Sequence, residues 1–367
     1  MNSKERMIIA LERGVPDRAP ASVHQWQPYH LNHYLGGISD LEAFRRFGLD
    51  ASLARFPLIP EPHPEWVVKY TEVEAPTGEE RYGEKRYKVT VETPGGTLEN
   101  IVAQNEITRW NVTPLMKRHE DLDLIERYMP VPKLDRSALQ KSYDELGNDG
   151  IMRGFVFGEQ GGCWQDATCL YGTEELILEA ADNPKWVKDF LAVLWSKKAR
   201  FIEESLVGAA YDLIETGGGA ASSTVISPNY YREFCLLYDQ EMHDTLHQIG
   251  HRVVYHTCGG MMPILELIAE NRCDACETLT PPTMGGDVRP AELKKRVGSQ
   301  LALIGGLDQN TVLEVGTEQD VRQHVHAMFR DFGAGGGYIL SPSDHFFKVP
   351  TCNLEAYAKA ARECVYN

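Results

Sequence analysis

The sequence lacks the features that mark membrane proteins and polyanion-binding proteins. No apolar run approaches the roughly 18 residues of a membrane-spanning helix, and residues 1–14 form a charged amphipathic pattern instead of a signal peptide. Lys and Arg number 37 against 53 Asp and Glu, which gives a formal net charge of −16. This balance disfavours a broad phosphate-binding surface. We therefore expect a cytoplasmic protein with neither a nucleic acid nor a membrane as partner.

The eight cysteines show no compact framework spacing, so free thiols or metal ligands are expected instead of disulfides. Cys273 and Cys276 form a Cys-x-x-Cys pair, but no second pair exists to make a zinc ribbon, which favours core thiols. The Gly-rich residues 215–223 lack the Lys-Ser/Thr ending of a phosphate loop. No nucleophile triad can be singled out. The negative net charge leaves a small molecule or another protein as the more plausible partner.

From residue 151 onward the chain alternates between short apolar runs and helical stretches, one of which spans roughly residues 173–206. Six strand–helix units follow one another, each strand being mostly apolar as in buried parallel sheets. Two further strands are predicted upstream, at residues 18–24 and 49–57. Eight such units predict an α/β fold of the (β/α)₈ TIM barrel type.

Residues 84–104 alternate around a Pro-Gly-Gly turn and predict a β-hairpin. We expect this hairpin to belong to an N-terminal cap, contributed by residues from about 60 to 150, over the mouth of the barrel. The whole chain, residues 1–367, is then one domain with that insertion. A homodimer is compatible with the sequence, since dimers are common among soluble homo-oligomers.

Active sites of TIM barrels lie at the carboxyl ends of the strands, so polar residues that end a predicted strand are candidates for function. These residues are Glu159, Gln160, Glu215, His256, Cys258, Glu277, Asp308, Asp344 and His345. Glu215 and Glu277 are our candidate catalytic carboxylates. Glu159 and Gln160 are candidate substrate-binding residues.

His256 and Cys258 lie two apart on a predicted strand, so both face the same way, and two glycines follow them. Imidazole and thiolate are common zinc ligands, and Glu277 on the next strand could join them. Asp344 or His345 could close the site from the last strand. The alternatives are a buried core His and Cys, a solvated rim carboxylate at Glu277, and a loop histidine at His345 that stacks on a neighbouring phenylalanine.

Residues 24–34, "HQWQPYHLNHY", bring three histidines and three aromatic residues together just after the first predicted strand. His24 and Trp26 could form an aromatic wall for a substrate. The alternative interpretation is an ordinary packed cap segment.

Several motifs occur in an order that resembles the uroporphyrinogen decarboxylase superfamily over nearly the whole chain. They are "RGVPDRAP" (13–20), "ISPNYYREF" (226–234), "HTCGG" (256–260), "MPILELI" (262–268), "LIGGLD" (303–308) and "GGYILSPS" (336–343). The decarboxylases of this superfamily open with a Gln-Ala-Gly-Arg stretch whose arginine helps to grip the carboxylates of the porphyrinogen. This chain has no arginine from residue 19 to residue 44.

A second branch of the superfamily consists of corrinoid-dependent methyltransferases, which bind catalytic zinc through His-x-Cys and a later cysteine. His256 and Cys258 match the first two ligands, and Glu277 matches a glutamate that can complete the zinc shell. Asp344, followed by His345, stands where the third ligand of that branch is cysteine. The change leaves a competent ligand and should make the metal more Lewis-acidic.

The resemblance therefore implies a zinc-dependent methyltransferase that moves a methyl group between a small O-methyl, N-methyl or thiol compound and a corrinoid. The corrinoid cofactor (cobalamin) is expected on a partner protein, because the chain contains no Asp-x-His-x-x-Gly. The alternatives are a uroporphyrinogen decarboxylase-like lyase and a non-enzymatic barrel that binds a small molecule.

Overall fold

The structure, a computed structural model, describes residues 1–75 and 83–366. Its described part contains a seven-stranded parallel sheet and a separate four-stranded antiparallel sheet. In spatial order, the parallel sheet consists of β1 (Ala51–Ala54), β6 (Gly150–Phe155), β7 (Leu213–Gly217), β8 (Val253–His256), β9 (Ala275–Thr278), β10 (Ala302–Leu307) and β11 (Tyr338–Pro342). The antiparallel sheet consists of β2 (Val67–Val73), β3 (Lys85–Thr93), β4 (Gly96–Gln104) and β5 (Arg109–Asn111).

Helices separate the parallel strands along the chain. They are α1 (Ser3–Leu11), α2 (Pro28–Tyr34), α3 (Asp40–Phe47), α4 (Asp121–Tyr128), α5 (Arg136–Leu146), α6 (Cys163–Tyr171), α7 (Thr173–Asp182), α8 (Pro184–Phe201), α9 (Pro228–Tyr230), α10 (Leu236–Gln248), α11 (Leu265–Glu270), α12 (Pro290–Val297), α13 (Glu318–Phe332) and α14 (Thr351–Arg362). The helical stretch expected over residues 173–206 is divided at Asn183. Pro184 lacks a backbone N–H and starts α8 as a new helix.

The prediction of eight parallel strands is only partly correct. Residues 18–24 form a single parallel bridge, Ala21 to Leu340, instead of a regular strand. Leu340 donates its N–H to the carbonyl of Pro20, and Asp50 donates its N–H to the carbonyl of Ala21, both within 2.9 Å. Pro20 has no N–H to add to a ladder. The sheet is therefore a curled, TIM-like arrangement that no eighth regular strand closes.

The inner face of the sheet follows the two-residue period of β-strands. Ile151, Leu213, Val254 and Ala275 form one apolar layer together with residues of β10 and β11. Helix α1 covers this layer with Met7, Ala10 and Leu11. On β6 to β9, the residues two positions further along each strand form the next layer towards the carboxyl ends, and these residues are polar. The apolar layer thus separates the candidate site from the other end of the sheet.

The predicted hairpin is confirmed as β3 and β4, which pair from Lys85–Gln104 to Thr93–Gly96 around a turn at Pro94 and Gly95. The pattern missed the two outer strands. Strand β2 is exposed at almost every position, so it has no apolar alternation that could reveal it. The assignment of residues from about 60 to 150 to a cap stays a prediction.

No helix in the residues described is long and apolar enough to cross a membrane. All eight cysteines are free, and Cys273 and Cys276 are buried in the apolar core.

Candidate metal centre

Four neighbouring strands place one polar residue each in the layer above the apolar one. Arg153, Glu215, His256 and Glu277 follow Ile151, Leu213, Val254 and Ala275 by two positions, so they face the same interior. Their exposed fractions are 2%, 4%, 1% and 1%. Four ionisable side chains in one buried layer must be satisfied by one another, because burying an unpaired charge costs several kcal/mol.

Arg153 holds the two carboxylates of this layer. One terminal nitrogen, Nη2, donates to Glu277 Oε1 at 2.6 Å and to Glu215 Oε2 at 2.7 Å. Arg153 Nε and Glu277 Oε2 have no hydrogen-bond partner, although His24 Nδ1 lies 3.6 Å from Glu277 Oε2. The single positive charge of the guanidinium therefore compensates only part of the negative charge of the two carboxylates.

His256 connects the buried layer to the rim. Its Nδ1 lies 3.0 Å from Glu277 Oε1 and 3.6 Å from Glu215 Oε1, so the N–H on Nδ1 donates to a carboxylate. Its Nε2 faces Cys258 Sγ at 3.1 Å, and the Cys258 thiol donates to Asp344 Oδ2 at 3.2 Å. Burial opposes protonation of His256, but Cys258, Glu277 and Glu215 outweigh it and raise the pKa of the imidazole well above its usual value. A metal at Nε2 would therefore displace a proton from that nitrogen.

Three overlapping groups of side chains have ligand atoms within 4.8 Å of one another. They are His24, Glu215, His256 and Glu277; His24, Asp344 and His345; and His256, Cys258 and Asp344. No such group among the residues described contains both Cys258 and Glu277. The predicted ligands therefore lie next to one another but do not meet around one point.

Charge distinguishes the groups. Arg153 already occupies the carboxylates of the inner group with a fixed positive charge, which repels a divalent cation. We call the group of His256, Cys258 and Asp344 the outer triad, and no arginine or lysine among the described residues is bonded to it. The distance from His256 Nε2 to Cys258 Sγ is 3.1 Å, and that from Cys258 Sγ to Asp344 Oδ2 is 3.2 Å. Both are a few tenths of an ångström shorter than the roughly 3.5 Å between two ligand atoms of tetrahedral zinc. A small opening of the outer triad would therefore fit zinc, with a fourth position free.

The protonation states agree with the metal-free hydrogen bonds. Burial raises the pKa of the Cys258 thiol, and Asp344 raises it further against the opposing effect of His256. Burial also opposes ionisation of Glu277, but Arg153 and His24 outweigh it and hold the pKa of that carboxyl well below its usual range. Glu277 is thus a fixed anion beside His256, while Cys258 keeps its proton until something replaces it.

The other predicted site residues occupy different surroundings. His345 donates its backbone N–H to Asp344 Oδ1 at 2.7 Å, and its ring lies 4.9 Å from that of His24. Trp26 is buried among Phe44, Phe47 and Phe346, away from the layer of ionisable residues.

Gln160 and Glu159 lie in the loop after β6. The side chain of Gln160 accepts a hydrogen bond from the Gly219 N–H at 3.1 Å, and Glu159 lines a cleft beside the mouth.

Sequence reasoning missed Arg153. The signal was present, since an arginine inside the apolar run "IMRGFVFG" needs a buried partner. Its partners are on β7 and β9, which only the fold brings to β6.

The family model described as uroporphyrinogen decarboxylase (URO-D) matches residues 114–364. The chain belongs to the uroporphyrinogen decarboxylase family. The matched span contains β6 to β11 and all three residues of the outer triad, but it does not include His24.

Curated relatives share shorter spans. The uroporphyrinogen decarboxylase of Thioalkalivibrio sulfidiphilus is 31% identical over 169 residues, which cover 44% of this chain and 43% of that enzyme. The enzyme of Methylobacillus flagellatus is 26% identical over 219 residues, covering 56% and 58%. That of Pseudoalteromonas translucida is 32% identical over 122 residues, or 32% of each chain. The chain thus spans between about a third and three fifths of these relatives.

A methyltransferase from Methanosarcina mazei has a similar structure, with a TM-score of 0.65 over 99% of both chains. Its sequence identity is 16%, so the likeness shows a common fold. The family model thus establishes the family, and the structural likeness adds only a shared fold.

Proposed function

We propose that this chain is a zinc-dependent methyltransferase that moves a methyl group between a small methylated compound and a corrinoid on a partner protein. The observation that carries the proposal is the outer triad. Its imidazole nitrogen, thiol and carboxylate converge where the carboxyl ends of β8 and β11 lead into their loops. Three protein ligands with a free fourth position are the usual arrangement of catalytic zinc.

Each residue of the chain has a definite part in this arrangement. Glu277 holds the proton of His256 on Nδ1 and so directs Nε2 at the outer triad. Arg153 fixes Glu277 in that position. Asp344 accepts a hydrogen bond from the Cys258 thiol and is itself oriented by the backbone of His345. These contacts hold the thiol and the carboxylate side by side at the mouth, where a metal would take the place of the thiol proton.

A bound zinc would supply Lewis acidity to the heteroatom that carries the methyl group. Asp344 in place of a second thiolate leaves the metal less electron-rich, which favours demethylation of an O-methyl or N-methyl compound over activation of a thiol. The corrinoid would approach from the mouth, because transfer requires near-attack contact of roughly 3 Å.

Uroporphyrinogen decarboxylation is the second candidate, because the printed names of the curated relatives favour it. A substrate with many carboxylates requires several free cations. Arg153, the cation of the buried layer, is already bonded to two carboxylates, and residues 19–44 contain no arginine. These two facts favour the methyltransferase.

Metal analysis tests the proposal most directly. Purified protein should contain about one zinc per chain, and Cys258→Ala and Asp344→Ala should each lose most of it. Cys276→Ala is the matched control, because Cys276 is buried outside all three ligand groups. A full zinc load in Cys258→Ala contradicts the site.

A panel of methyl ethers, methylamines and thiols, tested with reduced corrinoid proteins, should give a zinc-dependent methylcobalamin absorbance. Robust formation of coproporphyrinogen from uroporphyrinogen would favour the lyase.

A further inference from the structure

A cleft of about 550 Å³ opens beside the loop that follows β6. One wall is β5 with the three residues after it, and the other is Glu159 with the junction between α6 and α7. The side chains used below are Arg109, Trp110, Glu159 and Glu175. The volume fits a small molecule of metabolite size.

Two opposite charges face this cleft without neutralising each other. Among the residues that the structure describes, neither Arg109 nor the carboxylate of Glu159 has an ion-pair or hydrogen-bond partner, and their charged atoms lie farther apart than the 4.0 Å of an ion pair. They nevertheless influence each other: burial and Asp166 raise the pKa of Glu159, and Lys198 and Arg109 oppose that rise. The guanidinium of Arg109 lies over the Tyr70 ring, 5.4 Å from its centre.

The remaining lining suits a ligand that carries both signs. Trp110 supplies an aromatic ring, which attracts an alkylated ammonium group. Glu175 adds a second carboxylate to the same cleft. Arg109 can bind a ligand carboxylate with two parallel hydrogen bonds. An ammonium group would thus meet Glu159 and Trp110, and a carboxylate would meet Arg109.

A hydrogen bond beside Glu159 links this end of the cleft to the loop that packs against the outer triad. Gln160, next to Glu159, accepts from the Gly219 N–H at 3.1 Å. Gly219 packs against Cys258, since a Cβ at Gly219 would lie 3.6 Å from Cys258 Cβ. The Glu159 end of the cleft is therefore the end nearer to Cys258.

We propose that this cleft binds a small N-methylated zwitterion, such as a methylated amino acid or betaine, with its ammonium group at Glu159 and its carboxylate at Arg109. The proposal rests on the proposed function only for the fate of the methyl group, which this orientation places at the Glu159 end of the cleft. Binding itself requires no metal.

Isothermal titration calorimetry on EDTA-treated full-length protein tests the proposal. Glycine betaine is compared with choline, which lacks the carboxylate, and with tert-butylacetate, which lacks the cation. Glycine betaine or dimethylglycine should bind at least about tenfold more tightly than either analogue, because each charged contact is lost in one of them. Glu159→Gln and Arg109→Met should each weaken binding about tenfold or more.

The matched controls are Glu355→Gln and Arg136→Met, which remove exposed charges outside the cleft and should leave the affinity unchanged. Absence of saturable binding by every zwitterion, equal affinity for the analogues, or native affinity in both cleft variants would overturn the proposal. Zinc in the outer triad without betaine binding refutes only this inference, whereas betaine binding without zinc refutes only the methyltransferase.

Discussion

Replacing Arg153 with methionine should destabilise the protein strongly, because it removes the one cation bonded to two buried carboxylates. Glu277 and Glu215 accept from Arg153 at 2.6 and 2.7 Å, and both are almost completely buried. Methionine keeps most of the apolar stem but offers no charge. The variant would therefore bury two neighbouring carboxylates with only the imidazoles of His24 and His256 beside them.

The expected loss follows from this burial. Removing one partner of a buried ion pair costs about 3–5 kcal/mol, whereas an exposed pair contributes about 0–1 kcal/mol. Lys185 and Asp189 form such an exposed pair, with side chains 89% and 56% exposed, so Lys185→Met is the matched control. Arg153→Met should lower the free energy of unfolding by about 3 kcal/mol more than Lys185→Met.

Urea unfolding, followed by tryptophan fluorescence in EDTA, measures these differences without a contribution from bound metal. The double variant Arg153→Met/Glu277→Gln should recover at least about 1 kcal/mol, because it removes one of the two uncompensated charges. If Arg153→Met fails to fold but the double variant folds, the result supports the same conclusion. A loss below about 1 kcal/mol in Arg153→Met, or strict additivity in the double variant, would refute the reasoning.

Three further changes test separate parts of the structure. Glu277→Gln should weaken zinc affinity about 10–100-fold in a chelator competition, as expected of a residue that orients His256; a loss as complete as that of Cys258→Ala would make Glu277 a direct ligand. Burial raises the pKa of Asp239 to about 7, so the folded state holds a proton that the unfolded chain releases near pH 4. The free energy of unfolding should therefore fall as the pH rises from about 4 to about 7. Asp239→Asn should flatten that slope in melting temperatures measured from pH 5 to pH 8, and an unchanged slope would contradict the assignment. Gly158→Ala should lower the free energy of unfolding by about 2 kcal/mol or more and weaken betaine binding, because φ of Gly158 is +94° and a Cβ there would collide with Asp166 Oδ2. Native stability and affinity in this variant would show that the loop adapts.

The local pattern of the chain was sufficient for much of the fold. Short apolar runs that alternate with helical stretches predicted β6 to β11, and alternation around Pro94-Gly95 predicted β3 and β4. Both periods arise within a few neighbouring residues, so they are visible without tertiary contacts. The same logic failed for residues 18–24, whose apolar run contains Pro20 and forms only isolated bridges, and for the exposed strand β2.

The sequence by itself determined the family, the parallel strands and the position of His256 and Cys258 at the end of one of them. Only the tertiary structure decided how these residues are used. In the folded protein, Arg153 is bonded to carboxylates from two other strands. Nδ1 of His256 faces Glu277 and its Nε2 faces Cys258, while Trp26 is buried in the core. The physical reason is that these contacts depend on the register between strands far apart in the chain, whereas a sequence pattern records only which side of its own strand a residue faces.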